Sequence, residues 1–159
     1  MKNELVRTTS TVGESNLHLQ ITPAYRRDIF VDREVFELTK KYILEKSERL
    51  GLIISAMDLG PNHGHVFISN WKKHSIEKIA KELKGYSSYM MRKNHMDLIK
   101  NKLWGKKFWS EGYFYRTVGA VTKDSMQFYI EHSQKKHWKA VDYQYYKYEK
   151  EQLRLNSFT

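Results

Sequence analysis

The chain of 159 residues carries 28 Lys and Arg against 18 Asp and Glu, a formal net charge of +10, and no cysteine. That length suits one compact domain, and 40% hydrophobic content with 11 Tyr, 7 Phe and 4 Trp supports a sizeable core, which excludes global disorder. The lack of cysteine excludes disulfides, thiolate metal sites and cysteine nucleophiles and fits a reducing compartment, while the charge points first to a polyanion such as nucleic acid, against an ordinary Lys-rich surface.

Residues before Asn16 read as a frayed start. A strand is predicted from Asn16, where Leu17, Leu19 and Ile21 alternate with Asn16, His18 and Gln20. Pro23 stops it, and Tyr25-Arg26-Arg27 follows as a basic loop. Asp32 is placed to cap a helix reaching about Leu50, with Glu34 in its first turn, Val35, Leu38 and Tyr42 as its stripe, and Gly51 closing it. Residues 52–58 are apolar and partly β-branched, and read as a strand. Gly60-Pro61-Asn62 signals a turn, and His63 to Ser69 completes a hairpin. Ser75 caps a second helix whose Ile76, Ile79, Ala80, Leu83, Tyr86 and Met90 form an apolar stripe, with Lys78, Lys81 and Lys84 on the other face. Residues 94–112 read as a basic, aromatic connection containing Trp104, Phe108 and Trp109. Tyr113 to Val118 reads as a strand. Thr122 then caps a last helix, with Asp124 in its first turn, running through Met126, Tyr129, Ile130 and Ser133. The tail from Trp138 is rich in Tyr, Lys and Glu, and reads as helical or loosely docked.

The first six elements run β-α-β-β-α-β, the ferredoxin-like order, an α+β fold with an antiparallel sheet and helices on one face. An additional C-terminal helix carries Tyr129. Residues 1–159 read as a single domain. No apolar run is long enough to cross a membrane, and Met1 to Ser15 is too polar for a signal peptide.

His63 and His65 lie two apart in a predicted strand, so both side chains point to one face and can share a metal ion. A bare His-x-His is more often a chance pair, commonly of surface histidines. Gly64 between them leaves the opposite face without a side chain. Tyr129, flanked by Phe128 and Ile130, reads first as a core aromatic. As a nucleophile it needs help, because an ordinary tyrosine ionises near pH ~10. His132 and Ser133 follow on its face of the helix, and Gln134 lies further round.

Five segments taken together carry a resemblance: HLQITPAYRRDIF, PNHGHVFIS, SIEKIAKELKGYSS, LWGKKFWSEGYFYRTVG and VTKDSMQFYIEHSQ. In this order and spacing the chain resembles the TnpA-type transposases, single-tyrosine HUH enzymes of the smallest prokaryotic insertion sequences. The likeness covers about residues 16–137, leaving 138–159 as a basic, Tyr-rich extension. It implies a ferredoxin-like domain with an added helix, His63 and His65 as metal ligands, and Tyr129 as the nucleophile. It also implies a homodimer in which the tyrosine helix of one subunit completes the site of the other.

The sequence departs from the family pattern in three places. Gly64 stands where a bulky apolar residue is usual, and is expected to loosen the packing beneath the ligands. Asn62 stands where Asp is frequent, and is expected to shape the turn or the surroundings of the site. Ser133 stands where a Gln ligand is usual, so the third ligand stays open among His132, Gln134 and Ser133, with His132 favoured.

The implied activity is cleavage and rejoining of single-stranded DNA, with hairpins at the element ends, through a 5′-phosphotyrosine and with Mg²⁺ or Mn²⁺ as cofactor. The implied location is the cytoplasm, at the nucleoid when bound to DNA. Arg26, Arg27, Lys78, Lys81, Lys84 and Arg92 are the candidate phosphate contacts. Tyr25, Trp104 and Trp109 stack on bases or pack in the core. His18, His74, His95 and His137 have no spacing argument and are read as structural or surface residues, and Tyr143, Tyr145, Tyr146 and Tyr148 as decoy nucleophiles. The competing readings are a non-catalytic RNA-binding module of the same element order and an HUH nuclease of the replication-initiator or relaxase type.

Overall fold

The computed structural model describes residues 15–103 and 105–118, together with a short antiparallel pairing of Val6–Arg7 with Val12–Gly13. The expected last helix, with Tyr129, His132, Ser133 and Gln134, lies outside the described residues, as do Trp104, His137 and the tail. Six main elements follow in chain order: β1 (Asn16–Ile21), α1 (Arg33–Arg49), β2 (Ile53–Gly60), β3 (His63–Ser69), α2 (Ile76–Ile99) and β4 (Phe114–Val118). The strands form one sheet in the order β2-β3-β1-β4, every neighbouring pair antiparallel. This is the expected ferredoxin-like arrangement: each helix links two strands that lie either side of a third.

Each boundary has a local cause. The Asp32 carboxylate accepts from Glu34 N at 2.9 Å and Val35 N at 3.2 Å, starting α1. Gly51, at φ +72°, takes the left-handed turn after it, a conformation costly for any residue with a Cβ. Ser75 accepts from Lys78 N and caps α2. Pro61 and Asn62 form the two-residue link between Gly60 and His63, which pair directly. A bulge between Ile54 and Ala56 shifts the β2–β3 register by one residue.

Leu17, Leu19 and Ile21 of β1 and Val66 and Ile68 of β3 share one core with Val35, Tyr42 and Ile43 of α1 and with Ile79, Leu83 and Met91 of α2. The helices therefore cover one face of the sheet. The alternation in β1 leads one to expect the other face to be wet. Instead Asn16, His18 and Gln20 are buried as well.

Two expectations about α2 need correction. The helix continues to Ile99 instead of ending before residue 94, with a break in helical geometry at His95. Burial of Ile99 carries the core stripe past the break, and His95 Nε2 lies 2.7 Å from the Tyr42 hydroxyl. The buried ridge also runs through Ile79, Leu83, Ser87 and Met91, while Ile76, Tyr86 and Met90 flank it half-buried. Ser87 hides its polarity by donating to Leu83 O, and it accepts from Trp109 Nε1 at 2.9 Å.

β2 runs two residues beyond its expected end, to Gly60, because pairing with His63 holds the strand up to the turn. In the connection after α2, Phe108 and Trp109 are core residues, which removes Trp109 as a base-stacking surface. The connection is pinned beside the end of β1 by Ala24 N to Phe108 O and Ser110 N to Thr22 O.

The Ser87–Trp109 pair gives a stability test. Ser87→Ala leaves a buried indole N–H unpaired, at an expected cost of about 1–3 kcal/mol. In urea unfolding, Ser87→Ala with Trp109→Phe should cost less than the sum of the two single changes.

Candidate functional site

The sheet register builds the site on the face away from the helices. Across one row, Asp58 of β2, His65 of β3, Gln20 of β1 and Phe114 of β4 are successive cross-strand partners. The neighbouring row holds Ala56, Phe67, His18 and Arg116. His63 pairs with Gly60 at the turn end. Directly opposed residues share a face, so these side chains form one patch.

His63 and His65 are brought together as expected, with ring centroids 5.0 Å apart and planes nearly perpendicular. Both are fully buried. Gly60 makes room for this: a Cβ there would sit 2.6 Å from His63 Cε1, so any side chain would displace the ring. Gly64 does not leave the loose packing expected of it. Leu59, buried beside it, fills the space, and a Cβ at Gly64 would meet Leu59 Cδ2 at 2.6 Å.

The hydrogen bonds define which nitrogen of His63 carries the proton. Asn62 Nδ2 donates to the Asp28 carboxylate at 3.0 Å, and Asn62 Oδ1 accepts from Arg26 at 3.2 Å. That orients the amide, so His63 Nδ1, 3.2 Å from Asn62 Oδ1, must be the donor. In the neutral form of this ring Nε2 then holds the lone pair. Asn62 thus shapes the surroundings of the site, one of the two roles expected of it.

His65 Nδ1 lies 3.0 Å from His18 Nε2, and His18 stacks flat on Phe67 with centroids 4.4 Å apart. Burial, reinforced by the neighbouring His63 and His18, holds His65 well below the usual imidazole range. Burial, with Arg116 adding to it, pushes His18 down to about 3. Both rings are therefore neutral at pH 7, the state in which an imidazole binds a cation. If His65 Nδ1 donates to His18, both site histidines present Nε2 lone pairs. Two buried imidazoles side by side on one face fit a divalent cation. Among the described residues no set of three or more His, Asp and Glu side chains is grouped to hold one, so a full site needs a further donor.

The basic residues divide into two groups. Lys78 and Lys81 project from the exposed face of α2. The others are engaged: Arg27 Nε donates to Lys102 O, Lys84 Nζ donates to Glu111 O and Gly112 O, and the half-buried Arg92 reaches Ser88. Arg26 and Arg27, with Tyr25, Asp28 and Lys102, line a cleft of about 630 Å³. Tyr25 is 70% exposed there, in left-handed backbone geometry at φ +58°, as is Arg26 at +50°. The Asp28–Asn62–Arg26 bonds join this cleft to His63.

Sequence reasoning overlooked His18, Gln20 and Gly60 as parts of the site. Their signal was the even-numbered face of β1 and the residue opposite His63, which acquire meaning only once β1 and β2 are aligned on β3. His74 and His95 are structural, bonded to Leu50 O and Tyr42.

A ferredoxin-like sheet with two buried histidines side by side, a basic cleft beside them and a +10 charge points to a nucleic-acid-directed protein. The family model described as "Transposase IS200 like" matches residues 11–133, and the chain belongs to that family, whose members carry out DNA transposition. It is 30% identical over 128 residues to the ISDra2 transposase TnpA of Deinococcus radiodurans, covering 80% of this chain and 90% of the relative. A transposase crystal structure from Deinococcus radiodurans R1 superposes with a TM-score of 0.64 at 28% identity, covering 80% of this chain and 96% of that one. A REP-associated tyrosine transposase bound to a REP hairpin shares the fold, with a TM-score of 0.51 at 15% identity over 83% of this chain and 73% of that one. Membership favours the DNA-transposition reading over an RNA-binding module. Among the described residues no helix is long and apolar enough to cross a membrane.

The buried neutral histidines also set the acid response. His18 ionises near 6.5 when unfolded and near 3 when folded, so its contribution to stability is present above pH 6.5 and is lost as pH falls toward 3. Each such group adds a slope of at most about 1.4 kcal/mol per pH unit. Urea unfolding of the metal-free protein between pH ~7 and ~4 should show this loss, with a shallower slope in His18→Gln.

Proposed function

We propose that the chain cleaves and rejoins single-stranded DNA at a metal-dependent site, using Tyr129 as the nucleophile. The observation that carries this reading is the His63–His65 pair: adjacent, buried and oriented by Asn62 and His18. His63 and His65 would hold Mg²⁺ or Mn²⁺, with a third donor from His132, Gln134 or Ser133. When bound, the ion would polarise a non-bridging phosphate oxygen and offset charge in the transition state. Two imidazoles tilt the intrinsic preference toward Mn²⁺, and cellular abundance toward Mg²⁺.

In the proposed step the Tyr129 phenol loses its proton and its oxygen bonds to phosphorus. The bond from phosphorus to the 3′-oxygen breaks, and that oxygen takes up a proton. The product is a 5′-phosphotyrosine and a free 3′-hydroxyl. One phosphodiester replaces another, so a different 3′-hydroxyl can reverse the step and join new ends without ATP. The charge of +10, the cleft at Arg26 and Arg27, and Lys78 and Lys81 on α2 support binding of a phosphate backbone. Recognition of hairpins is supported by the REP-bound relative of the same fold. A homodimer sharing its sites follows from the family resemblance.

With labelled single-stranded DNA from an element end and Mn²⁺, a covalent protein–DNA adduct should survive denaturation. It should vanish with chelator and in Tyr129→Phe or His63→Ala. Mixing those two variants should restore cleavage if sites are shared between subunits; a mixture without activity places each site within one chain. Absence of adduct in the wild type under every condition overturns the covalent mechanism. Separately, Lys78→Ala and Lys81→Ala should each lower the salt dependence of DNA binding by about one unit of slope, uniformly across sequences.

A further inference from the structure

Gln20 occupies the centre of the sheet, directly opposite His65 and on the same face. It is 1% exposed, yet among the described residues neither its amide nitrogen nor its amide oxygen has a hydrogen-bond partner. A buried amide in that state has given up its hydration without return. A β-branched hydrocarbon would fill a central strand position without that loss. Neighbouring positions on this face are satisfied: His18 bonds to His65 and His63 to Asn62. Among the described residues of this face, the amide beside the histidine pair is the one left open.

From this we infer that Gln20 is an oxygen donor to the divalent cation at His63 and His65, through Oε1 directly or through one ion-held water. The inference rests on the metal-dependent reading above. His63 and His65 are 0% exposed and Gln20 1%, so the guest that satisfies the amide is small, an ion with its water. An amide oxygen is a hard, neutral donor. Beside two borderline imidazoles it moves the preference toward Mg²⁺ and Mn²⁺, and it adds no negative charge against an incoming phosphate. Gln20 and His65 sit in one rigid row of the sheet, so the oxygen is held in register with the ligand before any ion arrives.

The test uses the full chain without DNA and follows free Mn²⁺ by electron paramagnetic resonance, alongside melting of the metal-free protein. Gln20→Leu should weaken Mn²⁺ binding about tenfold or more. The same change should leave the metal-free melting temperature unchanged or raise it, because an unpaired polar group is removed. Gln20→Glu should bind Mn²⁺ at least as tightly as wild type, and Gln20→Met, closer to glutamine in shape, should repeat the Leu result. His63→Ala serves as reference. If it weakens Mn²⁺ binding while Gln20→Leu and Gln20→Met do not, the assignment of Gln20 fails and the two-histidine site stands. If the Leu and Met variants melt lower and Gln20→Glu also loses Mn²⁺, Gln20 is a packing residue and the assignment fails. If His63→Ala changes nothing, the two-histidine site and the role of Gln20 fall together.

Discussion

An imidazole binds a cation only through an unprotonated nitrogen, and here the backbone sheet supplies that state by withholding water. His65 sits in the third strand between two neighbours, with His18 close enough to hydrogen-bond and Phe67 packed against His18 in turn. Protonating any ring in this stack places a charge where nothing solvates it. His65 and His18 are therefore held neutral by the burial of their surroundings more than by any single polar contact.

The sheet divides its two faces between different tasks. One packs Leu17, Leu19, Ile21, Val66 and Ile68 against both helices and holds the fold. The other carries the polar row through Asp58, His65 and Gln20. Because side chains alternate strictly, the two sets are interleaved residue by residue and neither can slip without the other. Leu59, filling the space above Gly64, shows the accommodation at its closest: packing under the histidine pair is completed by a neighbouring strand.

The hairpin and helix caps were legible because their signals are local. Asp32, Ser75, Gly51 and the Pro61-Asn62 turn act within a few residues of where they stand, and the six-element order followed from them. His63 and His65 were legible because a spacing of two has only one meaning in a strand. His18 and Gln20 were not, since their role comes from strand pairing across more than forty residues of chain. Trp109 was ambiguous for a similar reason: its partner, Ser87, is a polar residue on the buried ridge of a helix read as apolar. The continuation of α2 to Ile99 was hidden by the polar stretch around His95, whose tertiary partner Tyr42 lies on the other helix. The tyrosine that completes the chemical reading lies outside the described residues, so its place rests on the family pattern.

Asn62 answers to two masters. The same carboxamide oxygen meets Arg26 from the cleft and the ring of His63 from the sheet, while its nitrogen is tethered to Asp28. Under the proposed function, a strand whose phosphates draw Arg26 away would compete with that oxygen for the guanidinium and leave it to the ring of His63. Under that same proposal, loading of nucleic acid and alignment of His63 would be thermodynamically linked through one amide, and substitutions that retune the cleft would carry a hidden effect on affinity for the proposed ion.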